Sequence, residues 1–385
     1  MSPSQKQAPG AGLVVLLNSS YGQSLVNFRA RLIEELVAAG HKVHVTAPDF
    51  DDELVAQLAG MGATAHRVPL ARTGIGPLSD LQYMSSIRRL IREIGAQLVL
   101  SYTSKPNIWA SLAAGSLGVR SASLITGLGY AFTEGGGAKR RLVSVASRML
   151  YRLATARNDV VIFQNPDDRS DFIAAGCLSD PSKARLVNGS GVDLEQFAVA
   201  PLPDAPVFLM VSRLLGTKGV REYARAALAL RSRRPECRFL LVGYRDEGPD
   251  GIEQGELDKW QAGGLEYLGQ LADVRPAIAE ASVFVLPSFY REGTPRSTLE
   301  AMAMGRPIIT TDMPGCRETV IHGDNGFLVP PRDADGLLEA MQRLAADPRM
   351  RARMGAQSRS LCERRFEVGD VTRTLLDHLF PGRDP

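Results

Sequence analysis

The chain has little of what would staple it, load it with metal or carry it through a membrane. Its 385 residues hold four cysteines (Cys177, Cys237, Cys316, Cys362), scattered, with no CxxC pair and no clustered histidines. That argues against a disulfide framework and a zinc site, and favours a reducing compartment. No apolar run reaches the ~18 residues that a membrane span needs. No signal-peptide pattern opens the chain, so the expectation is a cytoplasmic protein, at most a peripheral visitor to a membrane. Only MSPSQKQAPG, the first ten residues, reads as a loose tail. A net charge of +3 is too small to argue for a nucleic-acid partner.

Several catalytic motifs are missing as well. No G-x-G-x-x-G follows the first strand candidate, which argues against a dinucleotide oxidoreductase. There is no P-loop and no G-x-S-x-G nucleophile elbow. D-x-D occurs at Asp49–Asp51 and at Asp333–Asp335, a pattern that some transferases use to hold a divalent metal. Both copies precede predicted helices, where helix capping is the better reading, and no metal is expected.

What is present is a βαβ rhythm from end to end. The runs at 12–17, 42–47, 97–102, 121–126 and 159–164 predict buried strands. Helical patterns lie between them, the first ending on a C-cap signal at Gly40. The rhythm breaks at Ala198–Pro206, three prolines without periodicity, which reads as an interdomain linker. It restarts with the runs at 207–212, 237–243, 265–269, 283–287 and 307–311. The fold class is therefore α/β, two doubly wound Rossmann-like domains at 11–200 and 201–367. A last helix, 368–385, could return to the first domain. Ligands of such sheets bind at the carboxyl ends of the strands, so the residues after each strand carry the interest.

The segment Ser288–Gly305, SFYREGTPRSTLEAMAMG, is the strongest of these. A strand ends, a loop carries Glu292, Gly293, Thr294 and Pro295, and a helix begins near Ser297. Glu292 sits on the loop and Glu300 in the first helical turn. Backbone N–H groups from about Ser297 through Thr298 to Leu299 would suit a diphosphate, and a carboxylate near the helix start can accept both hydroxyls of a ribose. The alternative is a capping box, with Glu300 bonded back to the Ser297 N–H. In VSRLLGTKG (211–219), Arg213 and Lys218 place two cations at one strand end. They match the charge of a nucleotide diphosphate and would stabilise it as a leaving group. In the first domain, Asn18, Lys105, Asn107 and Thr126 follow strands and are candidates for sugar or phosphate oxygens.

One further stretch, Lys139–Arg157, carries six cations and no acid. Leu142, Val145, Ala146, Met149, Leu150 and Leu153 recur along it at helical spacing. It is either an ordinary domain helix with a solvated basic face or a basic amphipathic helix for an anionic membrane.

With Arg213, Lys218, Glu292 and Glu300 in view, nearly the whole chain resembles glycosyltransferase family 4, the retaining GT-B enzymes. NGSGVD (188–193), VSRLLGTKG and the long segment 292–333 carry the resemblance. SYTSKPNIWA, ITGLGYAF, VIFQNPDD and DMPGCRETV resemble the branch acting on polyprenyl-diphosphate-linked sugars. That branch includes the N,N'-diacetylbacillosaminyl N-acetylgalactosaminyltransferases and O-antigen and capsule enzymes.

The resemblance implies a UDP-sugar donor, an N-acetylhexosamine or hexose for transfer, a lipid-linked saccharide acceptor and no cofactor. It implies action at the cytoplasmic face of an inner membrane. Arg213 and Lys218 would bind the diphosphate, Glu300 the ribose, and Glu292 would lie beside the transferred sugar. The Gly293–Leu299 backbone, which includes Arg296, would contact sugar and phosphate. The base would rest between the turn at Gly243 and Leu271, and Glu318 would steady the cations. Two departures stand out. The first loop reads Asn18-Ser19-Ser20-Tyr21-Gly22, without the paired glycine of many relatives. The ITGLGY loop has no histidine, and no histidine base is assigned. The competing readings are a GT-B nucleotide-sugar 2-epimerase and a catalytically silent nucleotide-sugar-binding subunit of an assembly complex.

Overall fold

The computed structural model describes residues 12–71, 76–132 and 138–382, and the opening tail falls outside them. Two all-parallel sheets organise the chain. The first contains β1 (Val14–Asn18), β2 (Lys42–Ala47), β3 (Ala63–Arg67), β4 (Leu98–Tyr102), β5 (Arg120–Ile125), β6 (Val160–Phe163) and β7 (Ala184–Leu186). Their order is β3-β2-β1-β4-β5-β6-β7. The second contains β8 (Val207–Val211), β9 (Arg238–Val242), β10 (Glu266–Tyr267), β11 (Val283–Leu286), β12 (Ile308–Thr311) and β13 (Gly326–Val329). Its order is β10-β9-β8-β11-β12-β13. In each sheet the direction of winding reverses beside the first strand, at β1/β4 and at β8/β11. Those two points are where such folds bind ligands.

Local chemistry accounts for the elements. The strand runs are apolar on both faces because helices cover both faces of a parallel sheet. Leu16, Leu17, Phe208, Leu209, Phe284 and Val285 are fully buried. The helix Gln23–Ala38 stops where Gly40 takes φ +81°, and the Gly40 and His41 N–H groups donate back to Val37 and Leu36. In the second core the rings of Phe208 and Phe239 stack at 5.5 Å. Burying each contributes roughly 2–3 kcal/mol.

The chain divides into one compact unit that runs to Val187 and resumes at Thr372, and a second, Asn188–Val371. The proline-rich stretch Ala198–Pro206, expected to be the interdomain linker, lies inside the second unit. Three arginines hold this part of the chain there. Arg306 donates to Pro201 O at 3.1 Å, Arg351 to Asp204 O at 2.7 Å and Arg359 to Phe197 O at 3.3 Å. Proline removes N–H donors and breaks periodicity, so the stretch is irregular without being a boundary. Arg306 is completely buried and also donates to Ile278 O, near the carboxyl end of the helix Arg275–Glu280. Burial lowers its pKa to about 10.

The last helix, Val368–Leu379, starts in the second unit and ends in the first. There Arg120 donates to Leu379 O at 2.8 Å, and the His41 ring stacks on Phe380 at 5.0 Å.

Candidate active site

Two loops build the site, one after β8 and one after β11, the pair of strands at the second switch point. After β8 the chain makes a short turn, Gly216–Lys218, and Gly219 takes φ +78°. A Cβ at Gly219 would overlap the Pro287 carbonyl. Glycine there brings Lys218 against the end of β11. The Lys218 ammonium forms an ion pair with Glu292 Oε1, and the two side chains are 13% and 12% exposed. Ser288 Oγ lies 3.0 Å from the same carboxylate oxygen. The Tyr290 ring sits 5.3 Å from Lys218 Nζ.

Arg213 shares this neighbourhood. Burial raises the Tyr290 hydroxyl pKa, the Glu292 charge adds to the rise, and Arg213 opposes it. Arg213 itself is the exposed member, 43% open, and pairs with Asp246 at 3.5 Å. The Cys316 thiol is fully buried, and burial with the nearby Glu292 charge pushes it up to about 12. A nucleophilic thiolate is therefore excluded at neutral pH.

The Glu292 loop is fixed by its surroundings. Thr311 Oγ1 donates to Ser288 O. Gly315, at φ +81°, leaves no room for a Cβ against the Glu292 and Gly293 carbonyls. Gly293, Thr294 and Pro295 are buried. The helix that follows, Arg296–Ala303, has Pro295 at its N-cap position.

The Ser297–Glu300 capping box does not form, because Ser297 lies one residue inside the helix. Glu300 pairs instead with Arg296 at 3.0 Å, one turn back. Burial raises the Glu300 carboxyl pKa, Arg296 lowers it, and Asp273 raises it further. The Thr298 and Leu299 N–H groups both donate to Pro295 O, at 3.2 and 3.3 Å. Of the expected run Ser297–Leu299, the last two N–H groups are therefore already taken within the first turn. Thr298 Oγ1 is buried without a hydrogen-bond partner among the described residues.

Gly243 ends β9 at φ +146°, where a Cβ would overlap the Ser212 carbonyl. Its N–H donates to Gly269 O at 2.9 Å, and its carbonyl accepts from the Tyr267 hydroxyl at 2.8 Å. Leu271 is half-buried against the second core. Glu318, expected to steady Arg213 and Lys218, ion-pairs with Arg365 at 3.6 Å. The carboxylates paired with those two cations are Asp246 and Glu292. Both D-x-D segments cap helices. Asp51 accepts from Leu54 N at 2.8 Å, and Asp333 from Gly336 N at 2.9 Å. Among the described residues no three His, Cys, Asp or Glu side chains gather as a metal would require.

The first-unit candidates are less open than the sequence suggested. Asn18 is fully buried, and its Oδ1 accepts from Thr46 and from the Tyr83 hydroxyl. Asn107 is 1% exposed and donates to Leu124 O at 3.0 Å, holding the end of β5. Lys105 pairs with Asp80 at 2.8 Å. These three brace the fold. Thr126, like Lys105, is half-buried rather than buried, and it directly follows the end of β5.

The chain matches two family models, "Glycosyl transferase 4-like domain" over residues 26–189 and "Glycosyl transferases group 1" over 205–347. It is 28% identical over 349 residues to the N,N'-diacetylbacillosaminyl-diphospho-undecaprenol alpha-1,3-N-acetylgalactosaminyltransferase of Campylobacter jejuni. That match covers 86% of this chain and 89% of the relative. The chain is a family 4 glycosyltransferase of the GT-B fold. A UDP-Gal:alpha-D-GlcNAc-diphosphoundecaprenol alpha-1,3-galactosyltransferase of Escherichia coli is also 28% identical, over 73% of this glycosyltransferase and 74% of the relative. In fold, the glycosyltransferase superimposes on Anabaena HepE, solved with UDP and glucose, at a TM-score of 0.76 and 18% identity. That alignment covers 96% of this chain and 100% of HepE.

Within the glycosyltransferase, the structure brings Arg213, Lys218 and Glu292 around Tyr290, and Glu300 lies on the helix that follows, paired with Arg296. Tyr290, Ser288 and Asp246 were missed in the sequence. Tyr290 and Ser288 stood in the segment already singled out, but nothing in their spacing distinguished them from loop polarity.

Proposed function

We propose that this glycosyltransferase is a retaining enzyme that takes a UDP-sugar and transfers a hexose or N-acetylhexosamine. The acceptor is a polyprenyl-diphosphate-linked saccharide in surface-glycan assembly, of the O-antigen or capsule kind. The observation that carries the donor half is the Lys218–Glu292 pair with Arg213 beside it, at the switch point of the second sheet. A pre-placed, half-neutralised cation in a largely dry site suits a diphosphate whose charge grows as the sugar bond breaks. Lys218 and Arg213 would carry that charge without a metal. The acceptor hydroxyl would attack the face from which the phosphate leaves, and the departing oxygen would take its proton. Relatives that act on undecaprenyl-diphosphate saccharides support the acceptor half.

The helix Ala138–Thr155 would meet the membrane that holds such an acceptor. Leu142, Val145, Met149 and Leu153 are all exposed along one stripe, flanked by Arg141, Arg148 and Arg152. An ordinary domain helix buries that stripe, whereas an interfacial helix lays it into the headgroups. Among the described residues no helix is long and apolar enough to cross a membrane. The contact would be peripheral, on the cytoplasmic face.

The test is an assay for UDP release and glycolipid product, with UDP-N-acetylgalactosamine or UDP-galactose and a synthetic polyprenyl-diphosphate saccharide. Product with the anomeric configuration of the donor, lost in Glu292→Ala, is the expected result. An isomerised UDP-sugar formed without acceptor would instead establish the epimerase. Donor binding without turnover on any acceptor would establish a silent subunit.

A further inference from the structure

We infer that Asp250 is a positioning residue for the donor site, acting through Thr217; this rests on the donor-site reading above. Asp250 lies outside every motif singled out in the sequence, on the loop that follows β9. That loop is laced along the one that follows β8. Leu214 N donates to Tyr244 O at 3.0 Å, Ile252 N to Leu214 O at 3.1 Å, and Gly216 N to the Asp250 carbonyl at 2.8 Å. A single carboxylate oxygen of Asp250 then accepts twice from Thr217, from its N–H at 2.8 Å and from its hydroxyl at 2.6 Å.

Those two bonds fix the residue immediately before Lys218. They also aim the opposite end of the Thr217 unit. The Thr217 carbonyl accepts from Phe289 N at 2.9 Å and from Tyr290 N at 3.0 Å. Ser288 Oγ stands 3.4 Å from that carbonyl and 3.0 Å from Glu292 Oε1. One residue therefore joins the loop of Lys218 to the loop of Glu292, and Asp250 sets its orientation. Asp250 touches neither charged partner.

The geometry separates shape from charge. Because one oxygen accepts both hydrogens, a carboxamide oxygen in its place can do the same. The neighbouring Arg221 is held chiefly by Glu256, at 2.7 and 2.9 Å, and the Asp250 charge adds a smaller attraction. Asp250→Asn should therefore retain what Asp250→Ala loses.

The experiment is calorimetric titration with UDP of the wild type, Asp250→Ala, Asp250→Asn and Thr217→Val, with thermal melting of each. Losing both bonds to Thr217 predicts UDP binding weakened roughly tenfold or more in Asp250→Ala. Asp250→Asn should stay within about threefold of the wild type. Thr217→Val, which keeps the N–H bond, should fall between them, and it serves if Asp250→Ala does not fold. UDP affinity unchanged in Asp250→Ala, or in Thr217→Val should that alanine variant not fold, would overturn the inference. So would equal losses in the alanine and asparagine variants. A wild type that binds no UDP would overturn the donor-site reading itself, and this inference with it.

Discussion

Lys218 and Glu292, 74 positions apart in the chain, are joined as an ion pair with most of each side chain out of water. Such a pair gives little net stability, because desolvation offsets the attraction. Breaking it from one side leaves the other charge largely buried and short of this partner. Glu292→Gln and Lys218→Met should each lower stability by about 2–3 kcal/mol. The double substitution should recover part of that. Chemical denaturation of the four proteins checks it, and strictly additive losses would mean that the two do not interact.

Arg296 decides the pH range in which Glu300 is an anion. Burial raises the Glu300 carboxyl, Asp273 adds to the rise, and Arg296 opposes both. Asp273 is itself paired with Arg275 at 2.8 Å. If ionised Glu300 holds the ribose, donor affinity falls as pH drops through this raised pKa. Removing Arg296 raises the pKa again, so Arg296→Leu should move the acid limb of donor binding to higher pH. Arg296→Lys should restore it. UDP titrations at a series of pH values read the limb directly, and an unmoved limb would detach Arg296 from Glu300.

A second pH effect belongs to stability. His44 Nδ1 and His66 Nε2 meet at 2.9 Å on neighbouring strands β2 and β3. Burial is the main reason that both titrate below the ordinary histidine value of 6.5, and for His44 the charge of His66 adds to it. The unfolded chain therefore binds protons that the folded pair resists. Stability is intact above about pH 6.5 and declines as pH falls below it. Melting temperatures from pH 7.5 down to 5 should fall more steeply for the wild type than for His66→Gln. Parallel curves would show that the pair does not contribute.

Membrane contact through the helix Ala138–Thr155 should combine burial and charge. Arg141→Glu with Arg148→Glu should sharply weaken sedimentation with phosphatidylglycerol vesicles, and salt should weaken the wild type's binding. Met149→Ser with Leu153→Ser should weaken it at every salt concentration. Binding untouched by both pairs would return the helix to an ordinary structural role.

Most strands legible in the sequence carry apolar runs, and two of the three passed over, β3 and β7, do not. β3 (ATAHR), β7 (ARL) and β13 (GFLV) all lie at the edge of a sheet. Each has only one strand neighbour. β3 and β7 are also half-open to water, so no apolar run marks them. The donor residues were legible because their spacing follows from a strand, a loop and a helix start. Asn18, Asn107 and Lys105 looked alike as polar residues after strands, but the register that turns Asn18 and Asn107 inward is not encoded in polarity. Asp246 and Asp250 reach the site from a third loop, a contact between elements that no local pattern records.

The most direct test is isothermal calorimetry of the purified protein with a panel of UDP- and GDP-sugars, with Arg213→Ala as the control. Saturable binding of one UDP-sugar, lost in Arg213→Ala, is the result expected if the second domain is the donor site. Binding that Arg213→Ala leaves intact, or a preference for a GDP-sugar, would contradict it.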